Sequence, residues 1–128
     1  GDLFYMSVKL DRIDALLSEF RKLDPNMQMQ TALAFVFIAQ GDHANDPLSV
    51  YQVGDKLGCT SASASRNVAA LSNWSRHNRA GYGLVEANEN PERRNEKIIT
   101  LTPEGRQWFK ALDKICEDQV TAIIRSRK

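Results

Sequence analysis

From Thr60 to Leu71 the chain reads Thr-Ser-Ala-Ser-Ala-Ser-Arg-Asn-Val-Ala-Ala-Leu. One side of this run carries Ser61, Ala62, Ser63, Ser65, Arg66 and Asn67. Their chemistry is hydrogen bonding to anions and base edges. Serine hydroxyls suit phosphates and bases, arginine pairs bidentately with guanine or phosphate, and asparagine pairs with adenine. Short side chains also let a helix lie deep in a groove. The other side carries Ala64, Val68 and Leu71 at helical spacing, so the run predicts a helix seated on an apolar core. In isolation, Ser61–Ser65 reads more readily as a solvent-facing cap and first turn. The surrounding elements decide.

Those elements read as five helical segments and a two-stranded ribbon. The first helix spans about Ser7 to Leu23, with Leu10, Ile13, Leu17 and Phe20 on one stripe. The second is expected from Asp24-Pro25, with Asp24 as N-cap and Pro25 at the first helical position, and to end at Gly41. It is apolar on most faces. Ser49-Val-Tyr-Gln52 is a capping box that opens a third helix ending at Leu57. Gly58 supplies a positive φ, and Thr60 or Ser61 caps the fourth helix, expected to reach about Trp74. Val53 and Leu57 face inward, and Gly54 stands where two helices approach closely. Gly83–Ala87 and Lys97–Leu101 are β-like around the polar, proline-containing turn Asn88–Asn95. Thr102-Pro103-Glu104 restarts a helix that could reach Arg125. Helix, short glycine turn, helix and β-ribbon make a winged helix-turn-helix: mainly α, with a two-stranded β wing.

Other chemistry finds no support. There is no glycine-rich phosphate loop, nucleophile elbow or paired catalytic carboxylate, so no enzyme and no cofactor are expected. Cys59 and Cys116 lack metal-type spacing and are too few for a disulfide scaffold; Cys59 is expected as a buried thiol in the helix-turn-helix bend. His43 and His77 have no partner at ligand spacing. No apolar run approaches the roughly 20 residues that span a bilayer, and no signal peptide is visible, so a cytoplasmic protein is expected. The 128 residues suit one domain, and their net charge of +1 announces no partner. The distribution is more informative. From Lys56 to Val85 the chain holds Lys56, Arg66, Arg76, His77 and Arg79 and no acid, which is compatible with a phosphate-facing surface.

The run Leu57–Leu71 and the later run Asn90–Gly105, with its Leu101-Thr102 and Gly105, resemble the recognition segment and wing of MarR-type winged-helix transcription regulators. The resemblance covers roughly Asp24 to Leu112. It implies a homodimer in which the first and last helices (1–23 and 103–128) interlock, while residues 24–102 form a DNA-binding lobe. Paired lobes would reach successive major grooves of a pseudopalindromic duplex operator. Carried over by position, the recognition set is Ser61, Ser63, Ser65, Arg66 and Asn67, and the wing set is Arg93, Arg94 and Asn95. Three features depart from the pattern. Asn90 and Glu92 stand where the family often has Asp and Arg. The terminal helical segments are short. The stretch from Leu71 to Gly83 is longer than usual; its Asn73–Tyr82 insertion holds Trp74, Arg76, His77 and Arg79 and reads as an extension of the recognition helix, as a basic loop over the DNA backbone or as a solvated loop packed by Trp74, and with it the chain resembles regulators carried on phages and mobile elements.

Two functions of different classes follow. One is a dimeric, sequence-specific duplex-DNA binder acting as a transcription regulator, expected to be a repressor. The other is a winged-helix protein-interaction module inside a larger assembly. The resemblance also admits a small-molecule effector, with Phe35, Tyr51 and Trp108 as candidate lining or as plain core.

Overall fold

Local signals set most of the element boundaries. The computed structural model, which describes residues 1–73 and 81–126, runs α1 (Asp2–Leu23), α2 (Met29–His43), β1 (Leu48–Ser49), α3 (Val50–Leu57), α4 (Ser61–Leu71), β2 (Val85–Glu89), β3 (Lys97–Leu101) and α5 (Pro103–Ser126). Ser49 closes the expected capping box. Its hydroxyl accepts from the Gln52 N–H, and the Gln52 Oε1 accepts from the Ser49 N–H at 2.9 Å. Thr102 caps α5 by accepting from the Gly105 N–H, and its hydroxyl also donates to the Gly83 carbonyl at 2.6 Å. One side chain thus starts the helix and fastens it to the segment entering β2.

The start of α2 differs from expectation. Asp24 does not cap a helix. Its carboxylate accepts from the Asn26 N–H at 2.8 Å and forms a tight turn after α1. α2 begins only at Met29, after Gln28, which makes no side-chain cap. Asp before Pro-Asn serves an Asx turn as readily as a helix start, and here the turn wins. Gly41 does not stop α2 either, which continues to His43. A Cβ at Gly41 would meet the Asp46 carbonyl at 2.9 Å and the Leu48 side chain at 3.2 Å. The glycine is therefore needed for close approach of the following loop.

The chain forms two compact units. The larger, Gln28–Gln107, holds the sheet in the order β1-β3-β2, with both pairings antiparallel. Leu48 pairs with Ile99, and Val85 with Leu101. The third strand, β1, is an addition to the expected two-stranded wing. Phe35 and Ile38 of α2, Val53, Leu71, Val85 and Ile99 are fully buried and make the core of this unit; each such side chain contributes about 1.5–3 kcal/mol relative to exposure. Arg106, in the first turn of α5, lies 3.7 Å from Asp42 near the end of α2. The smaller unit holds Gly1–Met27 and the chain from Trp108 onward. In it Phe20 meets Trp108 edge to face at 4.8 Å, and Val8 and Leu112 are buried. Leu3, Met6, Leu10, Ile13 and Leu17 of α1 are all exposed. Among the described residues, no helix is long and apolar enough to cross a membrane.

Candidate nucleic-acid interface

The helix-turn-helix is built from α3, the three-residue connection Gly58-Cys59-Thr60 and α4. Gly54 is buried on α3, and a Cβ there would sit 3.1 Å from the Ala64 Cβ. The absence of a side chain is what lets the two helices cross closely. Gly58 ends α3 in the left-handed region, at φ 68°, where a Cβ would be strained. Its N–H and that of Cys59 return to carbonyls of the last turn of α3. Thr60 then caps α4, its hydroxyl accepting from the Ser63 N–H at 3.1 Å. Cys59 is half-buried rather than the buried thiol expected.

α4 turns Ala64, Val68 and Leu71 into the core. Ser61, Ala62, Ser65 and Arg66 are exposed, and Ser63 is half-buried. Asn67 departs from the expected outward set. It is 5% exposed and its Oδ1 accepts from the buried Thr31 hydroxyl at 2.7 Å. Its amide nitrogen donates to the Gln30 Oε1 at 3.1 Å, and that same oxygen accepts from the Ser63 hydroxyl at 3.2 Å. Asn67 therefore faces α2, where it cannot reach a base edge. Gln30 and Thr31 are the residues that sequence reasoning missed. Two polar side chains immediately before the apolar stretch 32–39 were a signal, but their partners lie 33–37 positions away.

The wing pairs Val85–Glu89 with Lys97–Leu101, and Asn88 donates to the Thr100 hydroxyl across the strands at 2.8 Å. At the tip, the Asn90 side-chain carbonyl accepts from the Glu92 N–H, and the Asn90 N–H donates to the Glu96 carbonyl. Asn90 thus folds the tip with a neutral amide. Arg93, Arg94 and Asn95 are all exposed there. The exposed Arg93 stands 3.8 Å from the half-buried Glu96 near the surface, an arrangement worth little to stability and easily exchanged. Glu86 and Glu89 are exposed along β2, so the wing carries both signs of charge.

Arg76 and Arg79, with Trp74 and His77, lie outside the described residues. The flanks of their segment are fixed. The Tyr82 N–H donates to the Ala70 carbonyl and the Leu84 N–H to the Leu71 carbonyl at 2.8 Å, returning the chain to the end of α4. Of the residues weighed for an effector site, Phe35 is fully buried core, Tyr51 is exposed and Trp108 packs on Phe20. Phe35 and Tyr51 therefore share no lining. Among the described residues, no cluster of His, Cys, Asp or Glu could hold a metal.

This arrangement is a winged helix-turn-helix, the fold expected from the sequence. No family model and no curated protein sequence matches the chain, but solved structures do. MepR of S. aureus in complex with DNA superposes with a TM-score of 0.69 at 13% identity, over 98% of this chain and 84% of that one. FabT of Streptococcus pneumoniae in complex with DNA gives 0.61 at 15% identity, over 97% and 81%. RV1404 of Mycobacterium tuberculosis gives 0.64 at 17% identity, over 98% and 76%. MepR, a transcription regulator of the multidrug efflux pump MepA, is also known bound to ethidium bromide. At such identities the likeness is one of fold.

Proposed function

We propose that this protein is a sequence-specific duplex-DNA-binding transcription regulator that acts as a homodimeric repressor in the cytoplasm. The observation that carries the reading is the outward face of α4. Ser61, Ala62, Ser65 and Arg66 are open to solvent while the opposite face is locked into the core. A helix with short polar side chains on its first turns fits the major groove. Ser61, Ser63, Ser65 and Arg66 read or position the duplex, and Arg93, Arg94 and Asn95 of the wing approach the flanking backbone or minor groove. Homodimerisation is supported by α1, whose exposed Leu3, Met6, Leu10, Ile13 and Leu17 recur at alternating steps of three and four. That spacing is the seam of a paired helix. Two lobes related by a twofold axis call for a pseudopalindromic site. MepR with ethidium bromide bound gives a fold-level precedent for a small-molecule effector.

Selecting bound sequences from a random duplex library tests this reading. Recovery of a pseudopalindrome is the expected result. With that operator in hand, Arg66→Ala is expected to weaken binding by about 1–3 kcal/mol and to relax specificity at one position of each half-site. Failure to enrich any sequence, with no retarded species at low salt, would favour the other reading: a winged-helix module that docks a protein partner. The mixed-charge wing, with Glu86, Glu89, Glu92 and Glu96 beside Arg93, Arg94 and Lys97, is what keeps that second reading open.

A further inference from the structure

Gln30 lies in α2, outside the helix-turn-helix and the wing, yet it is bonded to the recognition helix at two points. Its Oε1 accepts from the Ser63 hydroxyl at 3.2 Å and from the Asn67 amide at 3.1 Å. Gln30 itself is exposed, whereas Asn67 and Thr31 behind it are buried. The order of the relay has a chemical consequence. A glutamine side chain has one carbonyl oxygen with two lone pairs and one nitrogen with two N–H donors. Both bonds to α4 fall on the oxygen. Among the described residues the Nε2 group donates to none, so its two N–H bonds are left at an exposed position beside Ser63, on the half of α4 that carries Ser61 and Ser65.

We infer that Gln30 is a DNA-contacting residue supplied by α2: its amide nitrogen donates to a phosphate oxygen of the strand that runs past the start of α4, while its carbonyl holds Ser63 and Asn67 in place. A group that presents only donors at such a surface suits an acceptor-only partner, and phosphate oxygens are the acceptors a duplex presents along its edge. The relay also orients the contact. Asn67 is pinned from behind by Thr31, so Gln30 and the first turns of α4 meet the backbone as one rigid set. A contact held this way needs less ordering on binding than a free surface glutamine would.

The inference rests on the DNA-binding reading, and the test separates the two. Gln30→Glu keeps an oxygen for Ser63 and Asn67 but replaces the donors with a negative charge. Gln40→Glu makes the same charge change near the other end of α2, at another exposed position. Affinity for the selected operator and for a random duplex is measured across a salt series, with thermal melts to confirm folding. Gln30→Glu is expected to lower affinity for both duplexes by about fivefold or more, as one repelling charge at contact distance requires, with Gln40→Glu within about twofold of the unaltered protein because a remote exposed charge is screened. Gln30→Lys removes the oxygen that holds Ser63 and Asn67, so its readout is the salt slope rather than the affinity: a cation at the phosphate is expected to steepen the slope by about 0.9. Equal affinities for the two glutamate variants, or an unchanged slope in Gln30→Lys, overturn the inference and leave the DNA reading standing. An unaltered protein that binds neither duplex removes the DNA reading and this inference with it.

Discussion

A buried asparagine between two helices is stable only while both ends of its amide are bonded. Asn67 meets that condition through Thr31 on one side and Gln30 on the other. Replacing it with alanine strands the Thr31 hydroxyl in the core, and an orphaned buried polar group costs more than the hydrogen bond was worth. Asn67→Ala is therefore expected to lower unfolding stability by about 2–3 kcal/mol in urea titrations. Adding Thr31→Val removes the stranded hydroxyl and should recover about 1 kcal/mol, a coupling expected for residues that touch directly. Additive losses would show that the pair does not act as a unit. The inward position of Asn67 was legible: it lies three residues after Ala64 and four before Leu71, on the apolar stripe. Its amide chemistry suggested adenine, and reading residue type over period placed it on the wrong face. Ser61, Ser65 and Arg66 obey both signals, and their exposure is as expected.

Several elements set by short-range chemistry could be read from the sequence; the start of α2, where an Asx turn at Asp24 competes with a helix cap, and β1, set by long-range pairing, could not. The capping box at Ser49, the left-handed Gly58 and the Thr102 cap with Pro103 at the first position of α5 each depend on neighbours within a few residues. β1 is only two residues long and exists because Leu48 and Ser49 find Ile99 and Ile98, some fifty positions on. Nothing in Leu-Ser alone announces a strand. The wing lies between these cases: β3 falls on Lys97–Leu101 as its composition predicts, whereas β2 is displaced toward the tip, to Val85–Glu89. Its function belongs to the element as a whole. Arg93 and Arg94 sit on an exposed tip that also carries Glu92 and Glu96, with Arg93 3.8 Å from Glu96. Converting both arginines to alanine should weaken binding to specific and random duplexes alike and reduce the salt slope by about 0.9 for each phosphate no longer neutralised. A weakening confined to one operator sequence would mean that the wing reads bases.

At the scale of the molecule, the apolar stripe of α1 is the feature a single chain does not explain. The sequence marks Leu10, Ile13, Leu17 and Phe20 as a buried face; of these, Leu10, Ile13 and Leu17 are exposed, together with Leu3 and Met6 above them, while Phe20 meets Trp108. Periodicity reports that a face is to be covered without saying by what. A stripe of this length on water is a liability for a monomer and a seam for an oligomer. If a second copy covers it, the protein sediments at twice the chain mass at micromolar concentration, and its melting temperature rises with concentration, as linkage to association requires. Leu10→Asp combined with Leu17→Asp places two charges in the seam and should give a folded monomer, since neither side chain belongs to the buried core of either unit. Such a monomer keeps the α4 face intact but engages only one half-site at a time. Without the second, effectively intramolecular engagement, operator binding should weaken by about a hundredfold or more while affinity for an isolated half-site stays nearly unchanged. A variant that sediments as a monomer yet binds the full operator as tightly as the unaltered protein would separate the stripe from DNA binding and leave α1 to a different partner.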